Sequence, residues 1–150
     1  MLEMKVGIRE KVEKYSKDVK ELSRYLDYLN SKKGAMAGSY NDPSEGKKTT
    51  IMVPTYDSSL LSFVKCAQNS AFLDRNYLYT YKRLNMRDDQ DEIRQIERTQ
   101  IMEIEVLGAI LSKYIIKGQT QARMWTEGVK NGVMYAAVAK MKELIEFWSY

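Results

Sequence analysis

Residues Ile101–Ile116 read IMEIEVLGAILSKYII. Twelve of these sixteen residues are apolar, Gly108 and Tyr114 included, and the exceptions are Glu103, Glu105, Ser112 and Lys113. A helix apolar on almost every side has little face left for water, so its neighbours must bury it. Sixteen residues with two carboxylates make a poor membrane span, because a bilayer takes about 20 mostly apolar residues. The stretch therefore reads as the core of a helical bundle, not as a membrane anchor. Asp88, Asp89, Asp91 and Glu92 stand before it, where acidic side chains suit the positive end of a helix. Lys117-Gly118 supplies a stop. The expectation is one central apolar helix over 92–117.

The flanking segments repeat the helical period. Ile8, Val12, Tyr15, Val19, Leu22, Leu26 and Leu29 alternate spacings of four and three, which predicts one amphipathic helix from about residue 4 to 31. Its apolar face either docks on the domain or forms a homodimer seam through Ile8–Leu29. Asp57 or Ser58 caps a helix to about Ser70, with Leu60, Leu61, Val64, Ala67 and Ala71 facing inward. Asp74 looks like the cap of a helix over Arg75–Met86, although the alternation of Tyr77 to Tyr81 also suits a strand. A short helix follows from about Thr120 to Lys130, closed by Asn131-Gly132. Met134, Val138, Met141, Ile145 and Trp148 place a last helix over Val133–Trp148.

Ser31–Thr50 breaks the pattern with three glycines, Asn41-Asp42-Pro43 and two Lys-Lys pairs. This reads as an irregular, flexible loop over 32–53, with a short extended piece at Thr49–Val53. The whole is a single all-α, or nearly all-α, domain of five or six helices.

Composition narrows the chemistry. The 150 residues contain no histidine, which removes the commonest general base and metal ligand. The one cysteine, Cys66, leaves no internal disulfide or Cys-rich zinc site and reads as a buried, inert thiol. The acidic run lacks the spacing and central glycine of a calcium loop. No metal and no cofactor is implied, and no phosphate-loop, dinucleotide or nucleophile-elbow motif occurs. Glu103 and Glu105 point apart on a helix, which makes a carboxylate-based enzyme the weakest reading. The net charge of +4 permits an anionic partner. A reducing, cytoplasmic setting fits the single thiol and an N-terminus without an apolar signal core.

Two groups of residues can carry recognition. Lys117, Gln119, Gln121, Arg123 and Trp125 place two cations, two amides and an indole within nine residues. They suit a planar, phosphate-bearing ligand, or else a polar turn with Trp125 in the core. Tyr77, Tyr79, Tyr81, Lys82, Arg83 and Arg87 interleave aromatics with cations, as single-stranded nucleic acid or nucleotides require. The plainer reading puts Tyr77 and Tyr81 in the core beneath a solvated basic face. Arg94 and Arg98 read as ordinary surface ion pairing.

Three segments together resemble a group of small bacterial and phage proteins, domain-of-unknown-function family 6508. They are Pro54-Thr55-Tyr56 with Phe63-Val64 and Ser70-Ala71-Phe72, the apolar run Ile104–Ile116, and Lys117-Gly118 followed by Trp125-Thr126-Glu127-Gly128-Val129-Lys130-Asn131-Gly132. The chain departs from the family pattern at Gln119–Met124, where an Arg-Phe pair and a further glycine are missing. The resemblance implies a compact helical domain without established activity. A non-enzymatic binding protein is the leading expectation, with a host protein or complex as partner, as for an inhibitor of a defence system; the family's distribution suggests a phage or mobile-element source. A nucleic-acid or nucleotide-binding module is the alternative.

Overall fold

The computed structural model describes residues 2–33, 38–40, 54–121 and 123–149. The fold is all-α apart from a two-stranded ribbon, and the described residues form eight α-helices. They are α1 (Leu2–Ser23), α2 (Leu26–Ser31), α3 (Ser58–Gln68), α4 (Tyr77–Arg83), α5 (Asp89–Arg98), α6 (Glu105–Lys117), α7 (Arg123–Lys130) and α8 (Val133–Trp148). Two of the six helices expected from the sequence are each broken in two, which accounts for the larger number.

The central helix is the first of these. In place of one helix over 92–117, α5 ends at Arg98 and a 3-10 turn, Ile101–Glu103, leads into α6. Thr99 and Gln100 between them have extended backbone, with ψ of 133° and 167°. The Thr99 hydroxyl donates to the Gln95 carbonyl at 2.7 Å, a local bond that competes with helix continuation. Core geometry favours the break. At about 100° per residue, an unbroken helix would set Ile96 and Ile101 roughly 140° apart around its axis. The break lets both face inward, each 3% exposed.

The helix expected from residue 4 to 31 breaks at Arg24-Tyr25, where the N–H groups reach back three residues to Glu21 and Leu22. Ser23 Oγ donates to the Lys20 carbonyl at 2.8 Å. The bend lets Tyr28 donate to Asp57 at 2.8 Å and sets the Tyr25 ring edge-on to Phe63. The repeating apolar face is nevertheless continuous: Ile8, Tyr15, Val19, Leu22 and Leu29 are buried, with Val12 and Leu26 packed beside them. It docks within the chain, α1 chiefly against α8, so the seam offered for a homodimer is taken up by the chain's own core.

Alpha6 lies at the centre, with Val106 to Ser112, Tyr114 and Ile115 all buried. Two of its small residues receive the chain after α3. A Cβ on Gly108 would stand 2.6 Å from the Phe72 carbonyl oxygen. One turn later Ser112 Oγ accepts the Asp74 N–H at 2.8 Å and donates to that same carbonyl at 3.3 Å. Ser112 is thus the polar anchor of an otherwise apolar face. Asp74 Oδ1 accepts from Asn76 N–H at 2.8 Å, forming a turn, so α4 starts at Tyr77 and not directly after Asp74. Tyr77 to Tyr81 is helical, and the strand alternative fails.

Some inward-facing expectations also fail at the ends of helices. Leu61 is 46% exposed, and Ala71 is exposed with its N–H bonded to Asp18. Trp148 is exposed at the end of α8, whose bounds otherwise agree with the expected ones. Gly132, with φ of 82°, occupies the left-handed region that glycine tolerates, and Asn131 Oδ1 accepts the Val133 N–H beside it.

Within the segment expected to be a flexible loop over 32–53, Gly38–Tyr40 (β1) pairs antiparallel with Pro54–Tyr56 (β2). The Thr49–Val53 piece lies outside the described residues. Cys66 is half-buried, and its thiol is pushed up by burial first, then by Glu21 and Asp18, with Arg24 opposing. That direction disfavours the reactive thiolate.

Candidate functional site

The acidic run before the central helix divides by helical face. Asp88 caps α5, its side chain accepting Asp91 N–H at 2.9 Å. Asp91 reaches back to accept Arg87 N–H at 3.0 Å and pairs with Arg94. These bonds, the one from Arg87 first, hold the Asp91 carboxyl below its ordinary range. Glu92 turns the other way. It lies one turn before Ile96 on the inward face of α5 and is completely buried.

Three donors meet Glu92 there. Tyr81 of α4 donates its hydroxyl to Oε2, Tyr114 of α6 donates to Oε1 at 2.5 Å, and Lys113 Nζ lies 3.0 Å from Oε2. The Lys113 ammonium also sits 5.2 Å from the Tyr81 ring centre and 4.9 Å from that of Tyr114. Asn131 Nδ2 donates to the Tyr114 oxygen at 3.0 Å. Both tyrosine hydroxyls are pushed far above the ordinary tyrosine range, by burial first and then by the charge and hydrogen bonding of Glu92. A buried carboxylate accepting from three donors meets the condition under which burial of charge is tolerated.

Two open clefts flank this cluster, and Lys113 lines both. The first, of about 370 Å³, is bounded by Tyr77, Leu78, Tyr81, Lys82, Asn85, Met86, Arg87, Lys113 and Lys117. Its shape follows from how α4 ends. Met86 N–H donates to the Tyr81 carbonyl at 3.0 Å and Asn85 N–H to that of Lys82 at 3.2 Å. With Asn85 at φ of 55°, this is a Schellman turn with asparagine in the left-handed position. The turn carries Arg87 round to the face of α6 that bears Lys113 and Lys117, four residues apart. The lining holds four cations and no carboxylate. No ion pair among the described residues involves Lys82, Arg87 or Lys117.

The second cleft, of about 480 Å³, is bounded by Asp88, Asp89, Lys113, Tyr114, Gln121, Arg123, Met124, Glu127 and Asn131. It differs in character, with three carboxylates and two carboxamides against two cations.

The two groups picked out in the sequence are thus redistributed. Lys117 joins Tyr77, Tyr81 and Arg87 in the first cleft, while Gln121 and Arg123 line the second. Arg83 and Gln119 are exposed and line neither. Trp125 is a packing residue: its indole N–H donates to the Ile115 carbonyl at 3.0 Å. A Cβ on Gly118 would stand 2.0 Å from its ring. Gly118 therefore follows α6 for closeness of approach, since its φ of −64° needs no glycine. The rings of Tyr77 and Tyr81 are 7% and 8% exposed and meet edge-to-face, so they form the wall of a cleft and no open stacking platform.

Glu92, Lys113 and Asn131 are not among the site residues expected from the sequence. The usable signal for Glu92 was its position four residues before Ile96. For Lys113 it was a cation inside an apolar helix, on the face of Lys117.

No protein-family model matches the chain, and neither a curated protein nor a solved structure matches it. No helix among the described residues is long and apolar enough to cross a membrane.

Proposed function

We propose that this is a non-enzymatic binding protein, acting in the cytoplasm, whose ligand carries phosphate: a nucleotide or a single-stranded nucleic acid. The observation that carries the reading is the first cleft, where α4, the turn after it and α6 bring together Lys82, Arg87 and Lys117 beside the Glu92-held Lys113, with no carboxylate on the lining. Lysine and arginine side chains so placed pair with phosphate oxygens by charge-assisted hydrogen bonds. The carboxylates of Glu92 and Glu105 are committed to donors within the fold, which supports binding over catalysis there. Glu92 is enclosed by its three donors. Glu105 accepts from Lys11 Nζ at 2.5 Å and Tyr15 at 2.9 Å.

Calorimetric titration with inorganic phosphate, a nucleoside monophosphate and a short oligonucleotide tests the proposal. Saturable binding should weaken with salt, and for the oligonucleotide log affinity should fall linearly with log salt. Lys117→Ala should lower affinity about tenfold without changing the melting temperature by more than about 2 °C, as befits a surface change. Binding by none of the three probes, or full affinity in Lys117→Ala, would overturn it.

One observation favours a protein partner as the second reading, including a host complex inhibited by a phage-encoded protein. Phe147 and Trp148 form an edge-to-face pair at 5.0 Å and remain 61% and 38% exposed. Exposed aromatics of this kind are common anchors of interfaces. A host complex retained by the parent protein but lost from a Phe147→Ala/Trp148→Ala variant would favour this reading over the first.

A further inference from the structure

We infer that the second cleft is the base-selecting half of the same site, and that it prefers a nucleotide whose base carries an exocyclic amino group. The inference rests on the phosphate reading of the first cleft and adds the identity of the rest of the ligand.

Phosphate recognition leaves the base unaccounted for. In the first cleft Tyr77 and Tyr81 are turned edge-to-face into the core and offer no ring to stack upon. Across Lys113 the lining changes character. Asp89, Glu127 and Gln121 are exposed at the second cleft, and among the described residues Asp89 and Glu127 make no side-chain hydrogen bond or ion pair. Asp88 and Asn131 line it too, but each is turned to a local bond: Asp88 Oδ1 caps α5, and Asn131 accepts from Val133 while donating to Tyr114. Recognition therefore falls to the uncommitted groups. Carboxylates accept from an exocyclic amine, as in the pairing of Asp or Glu with the amino group of cytosine. Arg123 beside them donates to the ring nitrogen or carbonyl that neighbours the amine. Half-buried Met124 supplies an apolar surface for the ring. Lys113 is the wall common to both halves, and its hold on Glu92 at 3.0 Å keeps that wall in place. Uracil presents a carbonyl where cytosine presents the amine, so these carboxylates repel it.

The test titrates the full chain with inorganic phosphate, cytidine monophosphate and uridine monophosphate. The expected order is cytidine monophosphate about tenfold tighter than uridine monophosphate, the scale of discrimination by one good bidentate pair. An Asp89→Asn/Glu127→Gln double variant, checked for an unchanged thermal transition, should bring the cytidine nucleotide down to the affinity of the uridine one. Equal affinities in the parent, or a preference that survives in the double variant, overturns the inference while phosphate binding stands. Absence of binding by all three probes removes both this inference and the reading beneath it.

Discussion

Alanine at Glu92 should be among the most destabilising single changes in the chain. The carboxylate is completely buried, and removing it strips the acceptor from two tyrosine hydroxyls and the partner from Lys113. Each hydrogen bond to a charged group contributes about 1.5–3 kcal/mol. The losses do not add in full. Tyr114 keeps its bond from Asn131, and the Lys113 side chain, already 17% exposed, can turn toward water. A net cost of about 4 kcal/mol follows, inside the roughly 3–5 kcal/mol typical of a broken buried pair. At about 3 °C per kcal/mol for a chain of this size, the melting temperature should fall by about 12 °C. Glu92→Gln is nearly isosteric and keeps an acceptor for the hydroxyls, so it should cost about half as much. Urea unfolding followed by circular dichroism measures both, with a constant slope confirming that the folded state is compared with the same unfolded state. If Glu92→Ala costs less than about 1 kcal/mol, the carboxylate is not the hub that joins α4, α5 and α6.

Leu107→Ala and Leu111→Ala each empty a buried site on α6, at 0% and 2% exposure, and should each cost about 2–5 kcal/mol in the same unfolding experiment. Gly118→Ala should destabilise although its backbone is ordinary, because the new methyl meets the Trp125 ring; partial recovery of melting temperature in Gly118→Ala/Trp125→Leu would confirm the collision. The hydroxyls of Tyr15, Tyr28, Tyr81 and Tyr114 are all raised above the ordinary value of 10.0, by burial first and then by hydrogen-bonded or charged carboxylates. A raised folded value means that stability is fully present below pH 10 and declines as pH climbs beyond it, since the unfolded chain ionises first. The tyrosinate absorbance of these four should therefore appear together with loss of helix, and full titration of all eleven tyrosines with the helices intact would refute this.

What was legible in the sequence was what depends on local period. Asn131-Gly132 and the four-three spacing after it place α8, and the same spacing marks the buried face of α1. The break at Thr99-Gln100 was hidden because no proline or glycine marks it; only the need to bury Ile96 and Ile101 together forces it. Glu92 was disguised by its neighbours Asp88, Asp89 and Asp91, which face solvent and cap a helix as acidic residues should. The clefts depend on contacts that no local pattern encodes: the turn at Asn85 has to bring Arg87 over the α6 face of Lys113 and Lys117. Conversely, Trp125 looked like a recognition residue because it lies among polar ones, and its direction was set by a carbonyl one helix earlier.

The pairing of α1 with α8 has a consequence for the birth of the molecule. Alpha1 is complete at Ser23, while the partner that covers it begins only at Val133. At roughly 5–20 residues per second, on the order of ten seconds separate the emergence of the two from the ribosome. Throughout that interval Ile8, Tyr15, Val19 and Leu22 lack much of the surface that shelters them in the finished fold. The nascent chain thus presents a sticky amphipathic helix to its surroundings, the kind of transiently exposed apolar surface that makes aggregation a hazard. A helix made well before its cover is among the last to be settled, and yield in the cell should respond to the pace of translation as much as to equilibrium stability.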